Sequence, residues 1–295
     1  MIKRAGVRRT AAAAVFIIGA HATGTAATAP HLTAREVIER IKTHVNVSWS
    51  EQTVDTFKAG DPDTAVTGIA VTMMATFDVI QRAAAAGQNL VITHEPTFYG
   101  HQDEVRALEQ EQDAVYKAKI DFITAHHMVV WRFHDFWHRR TPDGILTGMV
   151  KALGWESYQK PDAPEVFAMP ETTLETLAAS IRQKLDARTL RVVGDPAMKV
   201  SKVGLAPGFG GFDTNRRLLQ REDVQVEVIG EAHEWEIVEY AADATTAKAG
   251  KALIVIGHIP SEQAGMEDFA RWLQPLVKET SVKFVPALDP FWLPK

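Results

Sequence analysis

Residues 89–100 read NLVITHEPTFYG, an apolar run that stops on His94 and Glu95 and is broken at Pro96. Residues 252–262 read ALIVIGHIPSE and repeat the design, with His258 closing the run and Pro260 two positions on. No other feature restricts the fold as much. An apolar strand that twice ends on an imidazole, each time with the same proline offset, predicts two related halves. Each half would deliver a histidine from the carboxyl edge of a sheet, where the ligands of open α/β sheets collect. A His with Glu95 beside it, echoed by His258 and Glu262 four residues apart, predicts metal ligation. A lone His at a strand end would need only a hydrogen bond, and Ser261 with Glu262 would also suit a helix N-terminus.

The rest of the pattern is α/β. Thr33 and Glu36 form a capping box ahead of Val37, Ile38, Ile41 and Val45 at helical spacing. Residues 66–74 predict a buried strand, and Thr76 opens an Ala-rich helix that stops at Gly87. After the first His exit the spacing predicts a helix over 103–119, a strand over 121–125 and a helix over 145–153. The second half begins near Pro161. It predicts a helix capped by Thr172 or Thr173, strands at 190–193, 203–206, 224–229 and 252–256, helices over 213–221, 234–248 and from Ser261, and a closing strand at 282–285. Strands alternating with helices mean α/β layers, divided here as 30–158 and 159–295.

Residues 1–29 stand apart: Lys3, Arg4, Arg8 and Arg9, an apolar run over 11–20, then small residues to Ala29. They read as a cleavable export signal, too short and too weakly apolar to span a bilayer, with a frayed amphipathic N-terminus as the plainer alternative. The arginine pair also permits twin-arginine export. A periplasmic or secreted protein without stable membrane insertion is the expectation. The whole chain carries −5, and four basic and no acidic residues among the first 29 leave −9 on the remainder, which argues against nucleic-acid partners. Cysteine is absent, so any metal must be held by His, Asp and Glu.

The densest histidine region is AHHMVVWRFHDFWH, residues 125–138. If 132–138 is helical, His134 and His138 share a face with Asp135 beside them; if it is extended, Asp135 points away. Either geometry leaves His134 or Asp135 available as a ligand. His126, His127 and His138 are candidates for partners behind the ligands. Glu231 and His233, after the strand at 224–229, could add a base or an outer group, though a helix N-terminus explains Glu231 equally well. PGFGGF, residues 207–212, could cradle a phosphate or form a simple tight turn. There is no GxSxG elbow and no thiol nucleophile.

The run GIAVTMMATFDVIQRAAAAGQNLVITHEPTF resembles the first metal motif of the Nif-three-like dinuclear metal-centre family, whose members carry the description GTP cyclohydrolase one, type two. VSKVGLAPGFGGF, VEVIGEAHEWE and IVIGHIPSEQAGMEDFARWL are similar to its Gly-rich turn, its Gly-acidic-His segment and its closing Gly-His-x-x-x-Glu motif. The resemblance implies two intertwined α/β repeats with mixed sheets, two divalent ions in the cleft between them, and a homo-oligomer, often a toroid. By position His94 matches the first His of the family's pair, and His258 and Glu262 match the closing pair, with Glu262 bridging. Departures are plain: Glu95 replaces the second His, Met74 a usual acidic residue, and a family Asp falls on Val130. Asp135 with His134 is the replacement, giving His94, Glu95, His134, Asp135, His258 and Glu262 as the metal set. A carboxylate for an imidazole moves preference toward Mn, Fe or Mg relative to Zn, without excluding Zn.

The expected function is that of an exported metal-dependent hydrolase, in which paired ions lower the pKa of a bridging water to near neutrality. Its small-molecule substrate is not specified by the sequence, and GTP ring opening, the reaction the resemblance suggests, fits poorly with a compartment that supplies no obvious GTP. Glu95 or His134 would move protons if they prove not to be ligands. The alternatives are a non-catalytic metal-binding regulatory protein whose ions brace an oligomer, and a periplasmic metal carrier.

Overall fold

Helix α1 (Ala34–His44) starts where the capping box predicts: the Thr33 side chain accepts from Glu36 N–H and the Glu36 carboxylate accepts from Thr33 N–H. The first run of elements continues with β1 (Phe57–Ala59), β2 (Ile69–Met74), α2 (Phe77–Ala85), β3 (Leu90–Glu95), α3 (Arg106–Gln110), α4 (Ala114–Ala125), β4 (Val129–Arg132), α5 (Asp135–His138) and α6 (Gly144–Leu153). A second run has β5 (Gln159–Lys160), β6 (Ala163–Thr173), α7 (Leu174–Lys184), β7 (Arg191–Val193), β8 (Lys199–Ala206), α8 (Gly211–Gln220) and β9 (Val226–Ile229). It ends with α9 (Glu239–Thr246), β10 (Ala252–Val255), α10 (His258–Leu273) and β11 (Val282–Phe284). This computed structural model describes residues 1, 2, 6 and 32–294, and the export signal read over 1–29 lies outside them but for Met1, Ile2 and Gly6. Among the described residues no helix is long and apolar enough to cross a membrane.

Both sheets are mixed. The first has the order β1-β4-β3-β2-β11, parallel except for the antiparallel edge strand β1. The second has the order β5-β6-β8-β9-β10-β7, with β8, β9 and β10 parallel between antiparallel flanks. Parallel strands covered on both faces need apolar residues throughout, which is why β3 and β10 are buried at every position. Trp131, Phe133, Phe136 and Phe269 fill the core of the first sheet. The second sheet is covered on one face by Leu177 and Ile181 of α7 and on the other by Leu219 and Ala241 of α8 and α9.

The two runs interlock through their last elements. Helix α10 starts just beyond β10 of the second sheet, yet Met266, Phe269 and Leu273 on it pack into the core of the first. A Cβ on Gly148 of α6 would lie 2.4 Å from Gly265 Cα on α10, so only glycines permit these helices to cross so closely. Strand β11 then pairs in parallel with β2, completing the first sheet from the far end of the chain.

Several expectations are corrected. Residues 121–125 are not a strand but the end of α4, whose N-cap Asp113 accepts from Tyr116 N–H. Tyr116, Lys119 and Ile123 are its buried residues, at helical spacing; a four-residue apolar run such as FITA cannot by itself distinguish helix from strand. The single helix expected over 103–119 is two helices, separated by a turn in which Gln112 has φ +53°. Strand β6 was hidden by Pro164 and Pro170, which it accommodates with a register shift between Ala168 and Thr172.

Candidate metal centre

Strands β3 and β4 are parallel with Thr93 opposite Arg132, so their chains leave the sheet side by side, carrying His94–Glu95 and Phe133–His134. His94 Nδ1 donates to the Phe133 carbonyl at 3.0 Å, which fixes the tautomer and leaves the Nε2 lone pair free. The segment after β4 is helical. Asp55 decides this by accepting from the N–H groups of His134, Asp135 and Phe136 at 2.7, 2.9 and 3.0 Å. His134 and His138 therefore share a face, their ring centroids 4.9 Å apart and 4.6 and 4.9 Å from that of His94. One ring nitrogen from each of the three lies within 4.8 Å of the others.

From the second sheet, Gly257 turns the chain out of β10 into α10, and His258 and Glu262 sit one helical turn apart, Nε2 to Oε2 3.2 Å. Glu262 Oε2 lies 3.5 Å from His94 Nε2. Glu95 Oε1 lies 3.5 Å from His134 Nε2 and 3.6 Å from His258 Nε2. His94, Glu95 and Glu262 form a second set of possible ligands within 4.8 Å. The PGFGGF segment presses its backbone against this end: Gly208 has φ +72°, and a Cβ there would lie 2.2 Å from Glu262 Oε1. Gly208 N–H donates to Ser261 Oγ, and Ser261 in turn donates to the His258 carbonyl. That amide thus braces the start of α10 and is not free to cradle a phosphate.

Burial pulls the His94 imidazole well below its ordinary pKa, helped by His138 and His134. It brings His134 down to about 4 against the pull of Glu95. For His258 burial is overcome by the carboxylates of Glu231, Glu262 and Glu95 gathered around it, and its pKa is pushed up to about 12. Burial would raise the Glu95 carboxyl, but the His258 hydrogen bond and the surrounding imidazoles hold it well below the usual carboxylate range. Two atoms at the meeting point, His94 Nε2 and Glu262 Oε2, are fully buried without a hydrogen-bond partner. A buried polar atom left unpaired costs about 1–3 kcal/mol. A cation between them would satisfy both, and a set of imidazole and carboxylate donors without thiolate suits first-row divalent ions and Mg. The residues fit a metal.

Residues 32–289 match the sequence profile of the family described as Duf34/NIF3 (NGG1p interacting factor 3). The chain belongs to the Duf34/NIF3 family. No curated protein matches it. Among solved structures it is similar to a Staphylococcus aureus hypothetical protein at 18% identity, covering 90% of this chain and 100% of that one with a TM-score of 0.68. It is similar to a Bacillus cereus protein related to NIF3 at 15% identity, covering 90% and 100% with a TM-score of 0.68. It is similar to reduced HcgD from Methanocaldococcus jannaschii at 16% identity, covering 86% and 97% with a TM-score of 0.62. At these identities the likeness is one of fold.

In this Duf34/NIF3 chain, then, His94, Glu95, His134, His258 and Glu262 come together and Asp135 does not join them. Its Oδ1 accepts from His134 Nδ1 at 3.0 Å and its Oδ2 from Thr53 Oγ1 and Val54 N–H, so both oxygens are engaged and it orients His134. His138, expected behind the ligands, stands among the possible ligands, with its Nδ1 held by Asp143 Oδ2 at 2.9 Å. Glu231 does reach the centre, 3.1 Å from His258 Nδ1. His126 and His127 precede β4 and so lie at the opposite edge of the sheet, exposed, with the His126 ring on Phe122. His233 sits on the rim against Trp235 and Glu236. Three residues were missed. Fully buried Arg132 donates to the His94 carbonyl and to the His101 carbonyl and lies 3.4 Å from Glu95 Oε2; a charge closing the apolar run VVWR was its signal. Asp55 and Asp143 lie in polar turns and gave none.

Proposed function

We propose that this chain is an exported metal-dependent hydrolase, active as a homo-oligomer, whose centre holds two divalent ions drawn from Mn, Fe, Zn or Mg. The observation that carries the reading is the approach, at 3.5 Å, of two buried unpartnered atoms from opposite halves of the chain, His94 Nε2 and Glu262 Oε2. His94 belongs to both ligand sets but has one free lone pair and can serve one ion. Ions held there would divide the residues, His94, His134 and His138 with one and Glu95 and His258 with the other, and Glu262, whose Oε2 approaches both His94 and His258, would serve either. Divalent ions held there would polarise water and an electrophilic carbon or phosphorus centre.

The chain's own residues supply the rest. Arg132 holds Glu95 in place, while Asp135, Asp143 and Glu231 each fix one imidazole by its Nδ1. Glu95 and His258 line a cavity of about 670 Å3, which favours catalysis over a purely bracing role, since a structural ion needs no open side. Glu231 lines the same cavity, its side chain 54% exposed, and can take up a proton on the oxygen that His258 leaves free.

The test is metal analysis of the purified protein followed by assays against phosphoesters, cyclic amides and GTP, before and after chelation. About two ions per chain, with turnover lost on stripping and restored by one of the four metals, is the expected result. Turnover by metal-free protein overturns the reading; full metal content with no turnover on any substrate class moves it to the bracing alternative.

A further inference from the structure

The cavity beside the metal centre carries a cation that nothing in the centre uses. Lys119, on α4, is only 3% exposed and lines that cavity together with Phe77, Tyr99 and Phe209. Its Nζ has three protons, and among the described residues it donates to one acceptor, the Thr97 carbonyl at 2.5 Å. No carboxylate of the described residues lies within ion-pairing distance of it. Asp103, the acidic group whose field reaches it, lies 3.6 Å from the Lys58 ammonium and 3.9 Å from Arg132. Holding an ammonium out of water without an anion is costly, and a Met of similar length would pack in the same place without that cost.

The walls around Lys119 point the same way. The ammonium lies 5.5 Å from the Tyr99 ring centroid and 5.6 Å from that of Phe98. Tyr99 is 61% exposed and has φ +71°, a backbone region costly for a bulky side chain and found where surrounding structure enforces it. Asp103 ties the adjoining backbone down, accepting from Phe98 N–H at 2.6 Å. Phe209, which lines the same cavity, is 45% exposed, its ring tilted against His233 at 5.1 Å between centroids, and His233 stacks on Trp235 at 4.7 Å. Exposed rings beside a buried ammonium that has no carboxylate partner among the described residues make a surface for a flat anion.

We propose that this cavity binds a small molecule with a flat ring and a carboxylate or phosphate group, Lys119 reading the anionic group and Tyr99 and Phe209 holding the ring. The proposal rests on the hydrolase reading for its claim that such a molecule is the substrate, but the binding itself can be measured apart from turnover. Calorimetry at pH 7 with phenyl phosphate, benzoate and neutral benzamide, on metal-loaded and metal-stripped protein, separates the contributions. Wild type is expected to favour one or both anions over benzamide by about 10-fold or more, the range of a hydrogen bond to a charged group. Lys119→Met is expected to lose that preference while its metal content and benzamide affinity stay unchanged, Lys119→Arg to keep part of it, and Phe209→Ala to weaken all three probes. Phenyl phosphate held at the expense of benzoate, or the reverse, identifies the anionic group. A preference that survives Lys119→Met, or one that vanishes in stripped wild type because the ions alone supply it, overturns the proposal. Should Lys119→Met fail to fold, Lys119→Gln carries the same test. Anion selectivity lost in Lys119→Met by a protein that turns nothing over would sink the hydrolase reading and leave the site standing.

Discussion

Glu95 and Glu227 are both buried carboxyls on parallel strands, β3 and β9, and they end in opposite charge states. Both Glu227 oxygens lack any hydrogen-bond partner, its flanking positions in the sheet are Gly204 and Leu253, and burial pushes its pKa up to about 9. Glu95, also buried but at the end of its strand, has Arg132, His134 and His258 around it and stays ionised far below neutral pH. Burial by itself neutralises a carboxyl; the protonated His258 beside this one keeps it charged. A buried acid is therefore no sign of a site, whereas a buried acid with imidazoles and a guanidinium aimed at it is.

The largest test of that difference is Arg132→Met. It leaves Glu95 without its guanidinium and the carbonyls of His94 and His101 without their donor, which is expected to destabilise the fold by about 3–5 kcal/mol in urea unfolding. A change of about 0.5 kcal/mol, typical of an unimportant surface position, would show that Arg132 is not what separates the two acids. Next comes Glu95→Gln. Partners one step behind a ligand already cost 10–100-fold in metal affinity, so losing the ligand itself should cost at least about 100-fold, read by calorimetry. Glu227→Gln should leave metal affinity untouched, and a matched loss in both variants would erase the distinction.

Glu227 has its own signature in pH. Its carboxyl titrates near 4.5 when unfolded and near 9 when folded, so between those values the folded chain binds the extra proton. Its contribution is fully present below about pH 4.5 and is lost as pH rises toward 9, at up to about 1.4 kcal/mol per pH unit. Glu227→Gln keeps a neutral side chain at every pH, and its unfolding free energy from pH 6 to 9 should fall less steeply than that of wild type. Parallel pH profiles would mean that Glu227 is not neutral in the fold.

The sequence made the two histidine exits legible because their signal is local: an apolar run and the residue that ends it lie side by side in number and in space. What it could not show is what distant residues do to a segment. Whether 132–138 was helical stood open, and Asp55, 79 residues before His134, decides it by capping the turn. That one contact brings the His138 ring beside those of His94 and His134 and turns Asp135 toward Thr53. The α/β alternation was likewise readable wherever strands were unbroken, but β6 with its two prolines was not, and neither was the return of β11 to the first sheet, a pairing that spans most of the chain.

The smallest effect separates the two ends of the centre. His138 is oriented by Asp143 and His258 by Glu231, each through Nδ1. Asp143 has a second task, since its Oδ1 caps α6 by accepting from Ile145 and Leu146 N–H. Asn serves as well as Asp at an N-cap, so Asp143→Asn should leave the thermal midpoint nearly unchanged while removing the charge behind His138. Metal affinity should then fall on the order of 10-fold, the lower end for an orienting partner. If the ions bind in separable steps, Asp143→Asn weakens the step served by His94, His134 and His138, and Glu231→Gln weakens the other. Both variants weakening the same step would mean that the imidazole-rich and carboxylate-rich ends act as one site, and no change in Asp143→Asn would remove His138 from the ligands.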